Sequence, residues 1–237
     1  MAPLCDSAKL FHGAHRAPSR NSHRPISMQR LHYDLSVFDE FWRLATAFAS
    51  VEGFLDAREG FLLYRLAVEG PGLGVIVEIG SLCGRSTAFV SAGSKAVRRE
   101  EVVAVDHFKG SPEHQAGQQC ASGTLARDGT TYQSFRENLL RVKLLDHVRP
   151  IQTNSLEAAA RWSGPIRLLF IDGEHSYESV RGDFDAWVPF VVPGGLVALH
   201  DVGNAPGVTR CFEEFTIPGQ GYQIVGGILS LRVLQKT

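Results

Sequence analysis

Val75-Ile76-Val77-Glu78-Ile79-Gly80-Ser81-Leu82-Cys83-Gly84-Arg85-Ser86 is an apolar run that breaks into a glycine-bearing bend. An almost uninterrupted apolar pentad is the pattern of a strand buried on both faces, as in a parallel sheet. Glycines at 80 and 84 permit a tight turn and let backbone approach a ligand where the next helix begins. The spacing is not G-x-G-x-x-G, so the dinucleotide fingerprint is missing. Asp106 ends the next apolar run, Val102-Val103-Ala104-Val105, where an acid can accept hydrogen bonds from ribose hydroxyls.

The same alternation continues along the chain. Helical stretches are predicted over 85–98, 132–142, 156–162, 176–188 and 208–215. Strands are predicted over 148–152, 166–171 and 196–199, and Pro150 predicts irregular pairing in the first of these. Pro193-Gly194-Gly195 reads as a turn into the last of them. Two final strands, 222–225 and 228–234, are joined by Gly226-Gly227, a hairpin signal. Residues 107–131 read as a long polar loop of the kind that is functional or mobile. Strands that alternate with helices give a doubly wound α/β sheet, and its ligand is expected at the carboxyl ends of the central strands.

Upstream of the bend, Leu35, Phe38, Trp42, Ala45 and Ala49 recur at helical spacing, and a second helix over 58–68 stops at Gly70-Pro71-Gly72. Their aromatics suit core packing or a subunit contact, and the first helix is a candidate homodimer surface. Residues 1–30 carry five Lys or Arg against one acid and show no apolar face. They read as an unstructured leader, with a targeting peptide as the alternative. The expected division is therefore a leader at 1–30, N-terminal cap helices at 31–72 and a main domain at 73–237.

A formal net charge of −1 argues against a nucleic acid partner, and no apolar run reaches membrane-spanning length. The four cysteines (Cys5, Cys83, Cys120, Cys211) have no metal or disulfide spacing, which suits a reducing cytoplasm.

Two further strand ends carry titratable residues. Asp172 ends one strand with His175 three residues on, and His200-Asp201 ends the next. In a doubly wound sheet these ends face the crevice that holds Gly80. Helix capping or turn formation is the alternative use of Asp172 and Asp201, and His200 could be a satisfied strand-end histidine.

The stretch from about Leu55 to Gly84, with its E-x-G-x-x-C-G-x-S loop, resembles the catechol-type O-methyltransferases. Ile171-Asp172-Gly173-Glu174-His175-Ser176-Tyr177 and Gly194-Gly195-Leu196-Val197-Ala198-Leu199-His200-Asp201-Val202 are similar to a related class I methyltransferase family that includes bacterial enzymes tailoring antibiotics and sugars. The resemblance implies a seven-stranded Rossmann-like methyltransferase sheet with an antiparallel last strand, and S-adenosylmethionine as methyl donor to a small-molecule hydroxyl. It implies Glu78, Gly80, Ser86 and Asp106 as cofactor contacts, with Asn154 or Ser155 near the adenine. Ser81, Gly84, His107 and Asp172 complete the expected cofactor set, while His114 is read as solvated loop. One departure is Leu82, where many class I methyltransferases carry glycine.

Catechol-type enzymes place metal ligands at the positions matching Asp172, His200 and Asp201, and a catalytic lysine where this chain has His175. A divalent metal (Mg, Mn or another) would lower the pKa of the acceptor hydroxyl, and His175 would take its proton. A histidine at 200 shifts the preference away from Mg or signals that no metal binds. The rival expectations are an NAD-linked oxidoreductase or epimerase, disfavoured by the missing fingerprint and the absent Y-x-x-x-K pair, and a catalytically inactive binding module.

Overall fold

The computed structural model describes residues 35–237. The leader expected at 1–30 and Cys5 lie outside the described residues. The apolar pentad is strand β1 (Val75–Ile79), followed by β2 (Val102–Asp106), β3 (Val148–Gln152), β4 (Ile166–Ile171), β5 (Val191–Leu199), β6 (Tyr222–Ile228) and β7 (Leu231–Lys236). They form one sheet of order β3-β2-β1-β4-β5-β7-β6. The pairs among β1 to β5 are parallel, and β7 runs antiparallel to both β5 and β6. This is the doubly wound seven-stranded sheet expected from the sequence.

Period-two alternation sends successive residues of β1 and its neighbours to opposite faces. On one face Ile76, Leu168, Phe170 and Ala198 pack with Leu63, Phe89 and Phe135. These last come from α2 (Ala57–Glu69), α3 (Arg85–Ala96) and α5 (Tyr132–Arg141). On the other face Val77, Ile79, Leu169 and Val197 meet Phe184, Trp187 and Phe215, from α7 (Tyr177–Trp187) and α8 (Pro206–Phe215). Each such large side chain, fully buried, contributes about 1.5–3 kcal/mol. The carboxyl ends of β1 and β4 are thereby held rigid from both sides.

The cap helices α1 (Leu35–Phe48) and α2 join the first face. Asp56 and Glu59 form a reciprocal capping box at the start of α2. Gly93 lets α3 approach closely, because a Cβ there would sit 2.4 Å from the Tyr64 carbonyl oxygen. Arg167, whose side chain is fully buried in β4, ion-pairs with Glu100 and donates to the carbonyls of Leu66, Ala67 and Gly70 at the end of α2. It supplies the donor for the Ala67 carbonyl, adds to those of Leu66 and Gly70, and ties the cap to the sheet. On α1, Phe38 and Trp42 stand exposed.

Four expectations are corrected. Pro150 lies in regular register opposite Ala104, and it is accommodated because β3 is an edge strand that can forgo one ladder bond. Gly226-Gly227 is not the hairpin turn. Both lie within β6, beside an irregularity between Ile224 and Gly226, and the chain reverses at Leu229-Ser230. The segment 107–131 is not wholly loop, since it contains a 3₁₀ turn (Pro112–His114) and helix α4 (Gly123–Asp128). Strand β5 also begins earlier than predicted, taking in Pro193-Gly194-Gly195. No helix among the described residues is long and apolar enough to cross a membrane.

Candidate active site

A cavity of about 400 Å³ opens at the carboxyl ends of β1, β2, β4 and β5. Its floor is the bend after β1. Gly80 has φ +85, and a Cβ there would lie 2.1 Å from the Asp172 carbonyl oxygen, so the bend and the end of β4 can meet only at glycine. Leu82, with φ 47, occupies the left-handed region that favours glycine. Its cost is offset by Asp106, whose Oδ2 accepts from Ser81 N at 2.8 Å and Leu82 N at 2.9 Å while Oδ1 accepts from Phe108 N at 2.6 Å. Both oxygens of Asp106, expected to accept from ribose hydroxyls, thus already accept from backbone N–H groups and shape the bend.

The residues expected to hold a cofactor divide into two groups. Gly80, Ser81, Ser86, Asp106, His107, Asn154, Ser155 and Asp172 line the cavity. Glu78 and Gly84 do not. Glu78 is fully buried beneath the bend, where its Oε2 accepts from Ser81 Oγ and Thr87 Oγ1 and its Oε1 has no hydrogen-bond partner. Burial outweighs these bonds and lifts its pKa to about 7. Gly84 caps α3 in the left-handed conformation. At the far end Asn154 caps helix α6 (Ser155–Ala160), accepting from Leu156 N, and Ser155 Oγ accepts from Trp187 Nε1.

The acid and histidine groups gather at the ends of β4 and β5. Neither carboxylate caps a helix: Ser176 caps α7, and Asp201 Oδ1 accepts from the Asn204 amide. His175 Nε2 lies 3.3 Å from Asp201 Oδ2 and 3.8 Å from Asp172 Oδ1, yet it is buried with no hydrogen-bond partner. On the other side of the ring, Nδ1 is 3.1 Å from Glu113 Oε1, an ion-pair distance without hydrogen-bond alignment. Burial opposes charge on His175, but Asp172, Glu113 and Asp201 outweigh it and raise the pKa to about 10. Burial likewise opposes the charge on Asp201, which His200 nevertheless holds down at about 2.

His200 is deeper and more tightly engaged. Its Nδ1 is 2.9 Å from Asp172 Oδ1 and its Nε2 is 3.0 Å from Glu59 Oε2. Despite burial, these carboxylates with Asp201 raise its pKa far above the ordinary histidine range. A ring that donates from both nitrogens has no lone pair for a metal. The group whose atoms do converge is Asp172, His175 and Asp201, each offering one ligand atom within 4.8 Å of the others.

Two participants have no signal in the sequence. Glu59, on the cap helix, is buried and also accepts from Ser230 N and Oγ at the β6–β7 turn. Glu113 arrives from the segment 107–131. That segment is anchored to the α1–α2 linker, because Glu52 accepts from Ser122 Oγ and Thr124 Oγ1 and Phe54 stacks on His114 with centroids 5.4 Å apart. His114, expected to be solvated, is thus packed, whereas His107 is nearly half exposed.

Residues 77–202, more than half of the chain, match the family model described as a methyltransferase domain. An uncharacterized protein, y4gI, of Sinorhizobium fredii is 30% identical over 129 residues, which cover 53% of this chain and 13% of that protein. The chain thus spans only a small fraction of that curated relative. Solved structures share the fold. CalS11, a calicheamicin methyltransferase, is 19% identical with 99% of each chain covered and a TM-score of 0.56. The O-methyltransferase from Bacillus cereus in complex with SAH is 17% identical, with 88% of this chain and 94% of that one covered and a TM-score of 0.55. With the matched segment running from β1 through the Asp172, His175 and Asp201 cluster, the chain belongs to the methyltransferase-domain family.

Proposed function

We propose that this protein transfers a methyl group from S-adenosylmethionine to a hydroxyl of a small molecule, with His175 taking the hydroxyl proton. The observation that carries the reading is the buried Nε2 of His175 at the end of β4, which makes no hydrogen bond, in a residue that lines the same cavity as the Gly80 bend. The cofactor would bring a methyl carbon already activated by its sulfonium. The cavity suits it, since the backbone bend at Gly80 allows close approach and the lining carries seven carboxylate side chains against one arginine and the charged His175 and His200. Fixed negative charge of this kind favours a sulfonium cation. Asn154 and Ser155 would flank the adenine, and the Asp106 end of β2 the ribose.

His175 aligns the acceptor oxygen and removes its proton as the oxygen–carbon bond forms and the carbon–sulfur bond breaks. Only the neutral ring can do this. With Asp172, Asp201 and Glu113 around it, the base form is the minor one at neutral pH. The cavity volume and acid-rich lining favour a small acceptor over a nucleic acid. Unpaired Cys83, Cys120 and Cys211 support a cytoplasmic setting.

A second reading is favoured by the convergence of Asp172, His175 and Asp201. They would hold a divalent ion that polarises the acceptor oxygen, with a nitrogen ligand shifting preference from Mg toward Mn, Fe, Co or Zn. One Nε2 cannot both bind a metal and accept a proton, so the two roles are exclusive. The test is calorimetry with S-adenosylhomocysteine, followed by a methyl-transfer screen over small hydroxylated compounds with chelator and with added metals. No affinity for S-adenosylhomocysteine refutes the first reading, and full activity after exhaustive chelation removes the second.

A further inference from the structure

We infer that Arg85 binds the α-carboxylate of the methionine moiety of the cofactor. The inference rests on the methyltransferase reading and concerns a residue that the cofactor set above does not contain. S-adenosylmethionine carries two cationic groups, the sulfonium and the ammonium, and one anionic group. A cavity lined by carboxylates accommodates the cations anywhere along its length, but the anion needs a counter-charge. Among the described residues that line the cavity, Arg85 is the sole Arg or Lys, and the histidines His175 and His200 already face Asp172, Asp201, Glu113 and Glu59.

Its placement suits that task. Arg85 is the first residue of α3, directly after the bend, and the cap residue Gly84 supplies no side-chain hydrogen bond to the first turn. Free N–H groups and the positive end of the helix dipole therefore add to the guanidinium. The Nε of Arg85 is buried and has no hydrogen-bond partner. A buried guanidinium N–H left unpaired is costly, which is the condition of a group awaiting a ligand. Asp56, the carboxylate that feels its charge, is already bridged by Arg58 at 2.9 and 3.1 Å.

The stem of Arg85 is also held. Gly53 lies over it so closely that a Cβ at 53 would come within 2.8 Å of the Arg85 Cβ and 3.2 Å of its Cδ. Gly53, Phe54 and Leu55 form the cavity wall on this side, so the arginine is pressed between the cap linker and the first turn of α3. Arg85 lines the cavity at the Gly80 end, after β1, whereas Asn154 and Ser155 line it after β3, two strands away. A ligand that spans the two ends with adenine on Asn154 brings its amino-acid part to Arg85.

The test compares two ligands by calorimetry. S-adenosylhomocysteine carries the carboxylate, and 5′-methylthioadenosine keeps the adenosine and thioether without the amino-acid part. The wild-type chain is expected to prefer S-adenosylhomocysteine, and Arg85→Ala to weaken that ligand by about tenfold or more, the scale of a charge-assisted hydrogen bond. Affinity for 5′-methylthioadenosine should stay within about twofold, which also certifies that the variant is folded, and Arg85→Lys should restore part of the loss. Equal weakening of both ligands, or of neither, refutes the role of Arg85 and leaves the methyltransferase reading intact. If Arg85→Ala does not fold, Arg85→Gln takes its place under the same criteria. Wild-type protein that binds neither ligand refutes both.

Discussion

Nε2 of His200 lies 3.0 Å from Oε2 of Glu59, so a cap-helix residue reaches through the core to the end of β5. Glu59 also accepts from Asp56 N and twice from Ser230, and His200 passes the contact on to Asp172 through Nδ1. Glu59 thus positions Asp172 without touching the cavity. In Glu59→Gln one acceptor oxygen becomes an amide donor facing groups that already donate. Turnover should fall about tenfold or more, while S-adenosylhomocysteine affinity stays within about twofold. Steady-state kinetics beside calorimetry reads both, and a variant that loses affinity with turnover untouched removes this role.

The pKa of His175, about 10, fixes the sign of the pH dependence. The ring is charged below that value and neutral above it, so a base at this position gains activity as pH rises. The rate of methyl transfer should climb between about pH 7 and 9, and His175→Ala should abolish the climb along with most of the activity. A pH profile that His175→Ala leaves unchanged in shape assigns the base elsewhere.

Glu78 makes an opposite kind of statement, about stability. Its folded pKa, about 7, stands above the ordinary 4.5. Between these values the native state holds a proton that the unfolded chain has lost, so stability declines as pH rises through that window. The limiting slope for one group is on the order of 1.4 kcal/mol per pH unit. Glu78→Gln should flatten the melting temperature between pH 5 and 7, and a slope equal to that of the wild type sinks the assignment. Asp201, held at about 2, acts in the other direction: its contribution is complete above about 4 and is lost as pH falls toward 2.

Arg167→Ala removes the buried cation that pairs with Glu100 and the side-chain donor to the Ala67 carbonyl, while Leu66 O and Gly70 O keep Gly70 N and Arg99 as donors. Breaking a buried pair from one side costs about 3–5 kcal/mol. Denaturant unfolding should register a loss of that order. A change below about 1 kcal/mol means that the pair is not holding the cap.

The strands were legible because burial on both faces leaves an unbroken apolar signature, as in Val75–Ile79 and Ile166–Ile171. The end of the chain was not. Gly226-Gly227 has the local chemistry of a turn, yet the reversal falls at Leu229-Ser230, where Ser230 bonds to Glu59. A contact across the fold overrode the nearest-neighbour signal. The candidate site was legible as far as strand ends allow: Asp172, His175, His200 and Asp201 are brought together. Sequence could not apportion them, since Glu59, which engages Nε2 of His200, lies on α2, and Glu113, which reaches His175, lies in the segment 107–131. Glu113 sits in a polar stretch with no periodicity, and only the fold carries it to His175.

The Glu52 tether has a consequence for how acceptor choice can change. Because Ser122 and Thr124 are fastened to the α1–α2 linker, two walls distant in sequence behave as one exchangeable part set over a constant floor. Grafting the segment 107–131 from a homologue without its matching linker leaves the Glu52 carboxylate facing strangers, whereas moving both together preserves the joint. Diversification of this scaffold is thereby channelled into paired replacements.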